Sequence, residues 1–340
     1  MGNIKIVFSI NNNYAPYLSV VLHSIYDHLD KTKACEIIIL NKDVSRENIC
    51  ILKNEFSSNR FRLNFIDMNP IVSGKDFYVG NRLSVETYFR LFLPWILTNT
   101  SKVIYLDCDM IINHDIYNLW NINVDDYLIG ATRDCGIIGF CYNDNFDRRE
   151  YTEKVLKISN MNNYLQAGVL IMNLDAFRKR FSLDRMRSII LNNRFRHHDQ
   201  DILNIICDGK ILFLEQRWDF VIENKRLKML ESIQLSPDWI REAYEDAKQN
   251  PYIIHYASEQ KPWLYPECEY GDLYWKYVRL SSYCDEIVGR RQVYLQNKQR
   301  FFSKLKDGIK IFFNERVLPI GTKRRKIIKR FLKGNIISVR

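Results

Sequence analysis

The sequence predicts an α/β protein built on a mainly parallel sheet. Three observations carry this. Short apolar runs alternate with segments of helical periodicity through the first two-thirds of the chain, as in βαβ units. One run, over residues 103–112, carries an Asp-x-Asp, Asp107-Cys108-Asp109, toward its end. The chain has 340 residues, 46% hydrophobic and 26% charged, enough for one large α/β domain and an appendage.

The elements follow in order. Residues 5–10 read as a strand, 17–28 as a helix and 36–40 as a second strand. Asp43-Val44-Ser45 caps a helix running to about Phe56, with Glu47 and Asn48 in its first turns. Residues 61–66 form a third strand, 84–97 a helix and 102–106 the central strand. Further strands are expected over 128–131, 168–173 and 210–214, and helices over 174–191 and 198–207. From Arg217 to about Tyr283 the chain is aromatic-rich and irregular, punctuated by Pro237, Pro251, Pro262 and Pro266, with one apolar strand over 252–254. The expected division is a catalytic domain over 1–284 and a basic tail over 285–340.

Side chains two apart on a strand face the same way. On that reasoning Asp107 and Asp109 converge while Cys108 points to the core. Two such carboxylates make a hard oxygen pocket for a divalent cation, which can in turn hold a diphosphate. In open parallel sheets ligands sit outside the carboxyl ends of the strands, where this pair falls.

Other phosphate devices are missing. There is no Gly-x-Gly-x-x-Gly and no Gly-Lys-Ser/Thr, so dinucleotide and P-loop chemistry are disfavoured. Asn11-Asn12-Asn13-Tyr14 follows the first strand and can grip a uracil and ribose, or simply cap a turn. His255 follows the 252–254 strand, and a nitrogen ligand beside two carboxylates favours Mn²⁺ over Mg²⁺; its plainer reading is a core histidine. Lys261 suits phosphate oxygens or solvent. Asp199 and Gln200 either line a sugar's reacting carbon or cap the helix they open. Adjacent His197 and His198 diverge on a helix and are discounted as a shared metal site.

Six segments stand in a familiar order. They are Ile6-Val7-Phe8 leading to Asn13-Tyr14, Thr87-Tyr88-Phe89-Arg90-Leu91, Tyr105-Leu106-Asp107-Cys108-Asp109, Ala167-Gly168-Val169-Leu170, Asp199-Gln200-Asp201-Ile202-Leu203-Asn204, and His255-Tyr256 followed by Lys261-Pro262-Trp263. Over roughly residues 4–265 the chain resembles the retaining glycosyltransferases of family 8, which include bacterial lipopolysaccharide galactosyl- and glucosyltransferases and glycogenin. The resemblance implies a GT-A fold, a Rossmann-like nucleotide-sugar domain. It implies Mn²⁺ (or Mg²⁺) on Asp107, Asp109 and His255, and Asn11, Asn12, Asn13 and Tyr14 around a uridine. Arg90 and Lys261 then serve the diphosphate and donor sugar, with Cys108, Gln166, Ala167, Gly168 and Ser258 completing the donor-binding set. Asp134 orients the donor hydroxyls, and Asp199 and Gln200 line the reacting face.

Three positions depart from the family's pattern. The family usually has Asp at Asn11 or Asn12, Asn at Gln166 and Gly at Ser258. Donor-sugar choice and phosphate geometry turn on them. The implied activity is transfer of galactose or glucose from a UDP-hexose to a hydroxyl of a surface glycan such as lipopolysaccharide core. A sugar-nucleotide nucleotidyltransferase is disfavoured because residues 11–13 lack a glycine-rich basic loop. A sugar-binding scaffold on a decayed transferase fold is the non-enzymatic rival; Gln166 and Ser258 support it and the intact Asp107, Asp109 and His255 oppose it.

The net charge of +10 is unevenly placed. Residues 296–340 hold 14 basic and 2 acidic side chains, leaving 36 basic and 38 acidic in the rest. The near-neutral body argues against a nucleic-acid partner. In the tail, Phe301, Phe302, Leu305, Ile309, Phe312 and Phe313 fall on a helical stripe, followed by Lys323-Arg324-Arg325-Lys326, Lys329-Arg330 and Lys333 around Ile327, Ile328, Phe331 and Leu332. Such a pattern describes a helix lying in an anionic membrane interface, each cation adding about 1 kcal/mol. The membrane surface is thus the expected partner of residues 298–340, and the acceptor is expected to be lipid-linked. Eight scattered cysteines without a Cys-x-x-Cys pair and no leader pattern at the start point to the cytoplasm, peripheral on the inner membrane face.

Overall fold

The computed structural model describes residues 4–74, 77–79, 84–222 and 227–312. Ten strands are present among them: β1 (Ile4–Ser9), β2 (Cys35–Asn41), β3 (Phe61–Asp67), β4 (Lys102–Leu106), β5 (Met110–Ile112), β6 (Ile129–Arg133), β7 (Leu165–Asn173), β8 (Ile211–Phe213), β9 (Phe220–Val221) and β10 (Ile253–His255). Seven form one sheet in the order β3-β2-β1-β4-β7-β6-β8. The pairs β3–β2, β2–β1, β1–β4 and β6–β8 are parallel, and β7 runs antiparallel to both β4 and β6. The expected mainly parallel sheet is present, with β7 its reversed strand. Because helices cover both faces, β1, β2, β4 and β7 are apolar almost throughout and nearly wholly buried.

Residues 84–97 do not make one α-helix. A 3₁₀-helix spans Val85–Phe92 and a short α-helix Leu93–Ile96 follows. Pro94 has no N–H to give to the carbonyl four residues back, and the Leu93 N–H bonds Arg90 O instead. Three residues per turn set Ser84, Thr87 and Arg90 on one side, toward the site below. The helix expected over 174–191 is likewise two, Leu174–Arg180 and Leu183–Asn192. Phe181 is extended between them, and the Ser182 side chain caps the second by accepting from Arg185 N.

The stretch expected to be irregular is more ordered than its composition suggests. It holds helices Leu227–Gln234, Asp238–Gln249 and Gly271–Val278, and it contributes β9 and β10 to a second, three-stranded sheet ordered β5-β10-β9. That small sheet builds the site. The chain leaves the main sheet at Leu106, turns through Asp107, Cys108 and Asp109, and re-enters as β5, antiparallel to β10 with Met110 opposite His255. The two aspartates are therefore brought together by a turn between two sheets and not by alternation along one strand. Cys108 is buried, as expected.

The chain divides into two units, Met1–Asp285 and Glu286–Arg340. In the second, the described residues continue the helix Cys284–Phe312, with an Arg290–Glu286 ion pair along it at 2.6 Å. The cationic block at 323–333 lies outside the described residues. No helix among the described residues is long and apolar enough to cross a membrane.

Candidate active site

Two backbone bonds fix the Asp-x-Asp turn. Asp107 N donates to Gly168 O on β7 at 2.9 Å, and Tyr256 N donates to Asp109 O at 2.8 Å. Asp107, Asp109 and His255 consequently bring one ligand atom each within 4.8 Å of one another. His255 Nε2 lies 3.5 Å from Asp109 Oδ1 and 4.0 Å from Asp107 Oδ2. Its other nitrogen, Nδ1, meets the wholly buried Asp219 at 2.9 Å, which fixes the ring so that Nε2 faces the carboxylates. Gly168 makes this approach possible: a Cβ there would come within 2.4 Å of His255 Cε1.

Two oxygen donors and one imidazole backed by a carboxylate fit a divalent cation. The carboxylates of the cluster draw positive charge to it. Burial pushes Asp107 up to about 6, against the pull of Arg90. Asp109 is held below the usual carboxylate range because Lys261 and His255 outweigh its burial. Burial disfavours the His255 imidazolium, yet Asp219 and Asp109 outweigh it and raise the ring to about 10. We expect Asp219→Asn to weaken cation affinity about 10- to 100-fold, read as the Mn²⁺ concentration giving half-maximal turnover.

Arg90 is the hub beside this cluster. It is 5% exposed. Its Nη2 donates to Asp107 Oδ1 at 2.8 Å, its Nε pairs with Asp199 Oδ2 at 2.9 Å, its Nη1 donates to Ala167 O, and its plane lies 4.2 Å over Tyr105. Asp199 takes a second bond from Thr87 Oγ1, so both its oxygens are engaged. Gln200 is held as firmly: Oε1 accepts from Ala167 N at 3.1 Å and Nε2 donates to Asp134 Oδ2 at 2.9 Å. Asn204, one turn on, ties the same helix to β7 by bonding Leu165 N and O.

A cavity of about 1230 Å³ opens over these groups. Of the expected residues, Asn11, Tyr14, Arg90, Asp107, Cys108, Asp109, Gln166, His255, Ser258 and Lys261 line it. Lys261 Nζ bridges Asp109 Oδ2 and Tyr256 O. Tyr14 stands edge-on to Trp263, which stacks on Tyr17 at 3.9 Å. Asn12, Asn13, Asp134, Ala167, Gly168, Asp199 and Gln200 are not among the lining residues. Asn12 is a strut: its Oδ1 accepts from Ser45 N and Asn48 Nδ2, joining the loops after β1 and β2. Asn13 is exposed, and Asn11 caps the turn by accepting from Asn13 N. Asp134 caps the helix Cys135–Cys141 through Ile137 N and accepts from Gln200 Nε2. Ala167 and Gly168 act by backbone from β7. Asp199 and Gln200 stand one shell behind the wall.

The fold, the small second sheet and the order of site segments can be set against known proteins. The model of glycosyl transferase family 8 matches residues 5–267. This chain belongs to glycosyltransferase family 8. A protein of Haemophilus influenzae described as a putative glycosyltransferase is 29% identical over 282 residues, 79% of this chain and 77% of that one. The structure of the bifunctional glycosyltransferase WbbM superposes with a TM-score of 0.75 at 24% identity, covering 85% of this chain; this chain spans about half of it, 52%. The galactosyltransferase LgtC, solved with donor and acceptor sugar analogues, superposes with a TM-score of 0.64 at 23% identity, covering 81% of this chain and 95% of that one. The family 8 chain therefore has the GT-A fold.

Several site groups escaped the sequence. Asp219 sits in a stretch without periodicity, 36 residues from the histidine it holds. Thr87 was visible only as part of a familiar segment. His198, set aside with its neighbour, lines the cavity with both ring nitrogens unbonded among the described residues, its ring stacked on Tyr78 at 5.6 Å and its φ at +46°; nothing in a sequence marks a non-glycine residue in the left-handed region. Glu86, a lone acid in an apolar segment, also lines the cavity.

Proposed function

We propose that this family 8 glycosyltransferase moves galactose or glucose from a UDP-hexose to a hydroxyl of a surface glycan, such as a lipopolysaccharide core, with retention at the anomeric carbon and with Mn²⁺ as cofactor. The observation that carries the reading is the convergence of Asp107, Asp109 and His255 beside Lys261 and Arg90 at the floor of one cavity. Held by Asp107, Asp109 and His255, a divalent cation would offset the charge that grows on UDP as it leaves.

The protein's own groups do the rest. Lys261 is within reach of the phosphate oxygens as a point charge, and it exchanges its bond to Asp109 for them. Arg90 fixes Asp107 and Asp199 at once, so the metal ligand and the acid behind the cavity wall are positioned by one guanidinium. A double displacement needs a free carboxylate nucleophile near the anomeric carbon. Gln200 is an amide and both oxygens of Asp199 are bonded, which supports front-face attack with the departing phosphate accepting the acceptor's proton. Its counter-result is a covalent sugar adduct trapped in a variant of either residue.

The acceptor is proposed to be lipid-linked, with the basic tail beyond residue 298 holding the enzyme on the anionic inner face of the plasma membrane. The test is UDP release from UDP-glucose and UDP-galactose with and without Mn²⁺, with membrane glycolipid as acceptor and the product's anomeric configuration read by NMR. We expect Mn²⁺-dependent release from one donor and an α-linked product. Silence with every donor would leave a sugar-binding scaffold.

A further inference from the structure

Glu86 is the buried charge that the proposed reaction leaves unused. It is 5% exposed, lines the cavity, and neither carboxylate oxygen has a hydrogen-bond partner among the described residues. Among the described residues its ion-pair partner is Lys42 Nζ, 4.0 Å from Oε1 and beyond hydrogen-bonding distance. Burying a carboxylate without hydrogen bonds is costly, so its retention in a cavity wall points to a ligand that completes it.

Its place narrows the ligand. The 3₁₀-helix Val85–Phe92 packs against β1 and β2. Thr87 and Arg90 reach from it toward Asp199 and Asp107, while Glu86 approaches Lys42 at the carboxyl end of β2. Ser9, Ile10 and Asn11 at the end of β1 line the same cavity. A single carboxylate is too few donors for a metal of its own, but its two oxygens match two adjacent hydroxyls.

We propose that Glu86 is a donor-recognition residue whose carboxylate accepts hydrogen bonds from a vicinal hydroxyl pair of the bound sugar nucleotide. The inference rests on the UDP-sugar reading of the cavity. The pair is either the ribose cis-diol or two hydroxyls of the transferred hexose, and the two sources are separable by ligand.

The experiment is calorimetric titration of the full chain and of Glu86→Gln with UDP, 2′,3′-dideoxy-UDP, UDP-glucose and UDP-galactose in Mn²⁺, with Tm measured without nucleotide. Glutamine keeps the shape and removes the buried charge. We expect E86Q to have an equal or higher Tm and to bind UDP about tenfold more weakly, with dideoxy-UDP binding weakly and equally to both proteins. If UDP is unaffected and one UDP-hexose weakens about tenfold, the pair belongs to the hexose and the assignment holds. Equal binding of all ligands by both proteins overturns it. So does a loss that persists in full with dideoxy-UDP, which would place Glu86 on the base, and so does a lowered Tm accompanying weaker binding, which would make it a fold residue. Absence of UDP binding by the unaltered protein sinks the donor reading itself and is distinct from a failure of Glu86.

Discussion

Exchange of Asp109 for asparagine is expected to lower Mn²⁺-dependent UDP release by about a thousandfold or more. The substitution removes an anionic oxygen that lies 3.5 Å from His255 Nε2 and the oxygen charge paired with Lys261. It leaves the backbone intact, because the turn is pinned by main-chain bonds from Asp107 N and Tyr256 N. The cations stranded by the change retain partners: Lys261 still donates to Tyr256 O and His255 still meets Asp219. The folded state should therefore survive, with a circular-dichroism melt within a few degrees of the unaltered protein. Loss of turnover with an unchanged melt is the expected pair of results. More than a tenth of the original activity in D109N would remove Asp109 from the metal site.

The second large effect is at Arg90. Arg90→Ala leaves the Asp107 and Asp199 carboxylates without their common partner in a buried setting, a loss of about 3–5 kcal/mol and a fall in Tm of roughly 10 °C. Arg90→Lys separates charge from geometry. An ammonium keeps the positive charge but cannot reach Asp107, Asp199 and Ala167 O together or lie flat on Tyr105. We expect R90K to recover much of the stability and to remain at least about a hundredfold slower than the unaltered enzyme. Full activity in R90K would show that Arg90 contributes charge alone.

The two effects mark what the sequence discloses and what it hides. The strand ending at Leu106 and the Asp-x-Asp after it are legible as an apolar run and a motif, and six ordered segments made the family legible. The physical reason for the site's geometry was not. Asp107 and Asp109 converge because β5 pairs with β10, two three-residue strands about 140 residues apart, each too short to leave a periodic signal. The same pairing sets His255 beside Asp109, and it organises a region whose prolines and aromatics read as irregular. Asn12 reads as ligand-facing because a short polar residue after a strand suits both caps and sites, and Asp134 is placed at the donor hydroxyls by the resemblance alone; here the Asn12 side chain joins two loops and the Asp134 side chain caps a helix. The 3₁₀ form of Val85–Phe92, which aims Thr87 and Arg90 at Asp199, was masked by an apolar spacing that an α-helix would also satisfy.

We infer a cation site on Asp107, Asp109 and His255 through which the cavity holds a nucleotide diphosphate. It is tested most directly by titrating UDP into the full chain with Mn²⁺ and again with EDTA. Affinity tighter by about tenfold or more with Mn²⁺ is expected in the unaltered protein, and no difference between the two conditions in D109N. Equal UDP affinity with Mn²⁺ and with EDTA in the unaltered protein would contradict it.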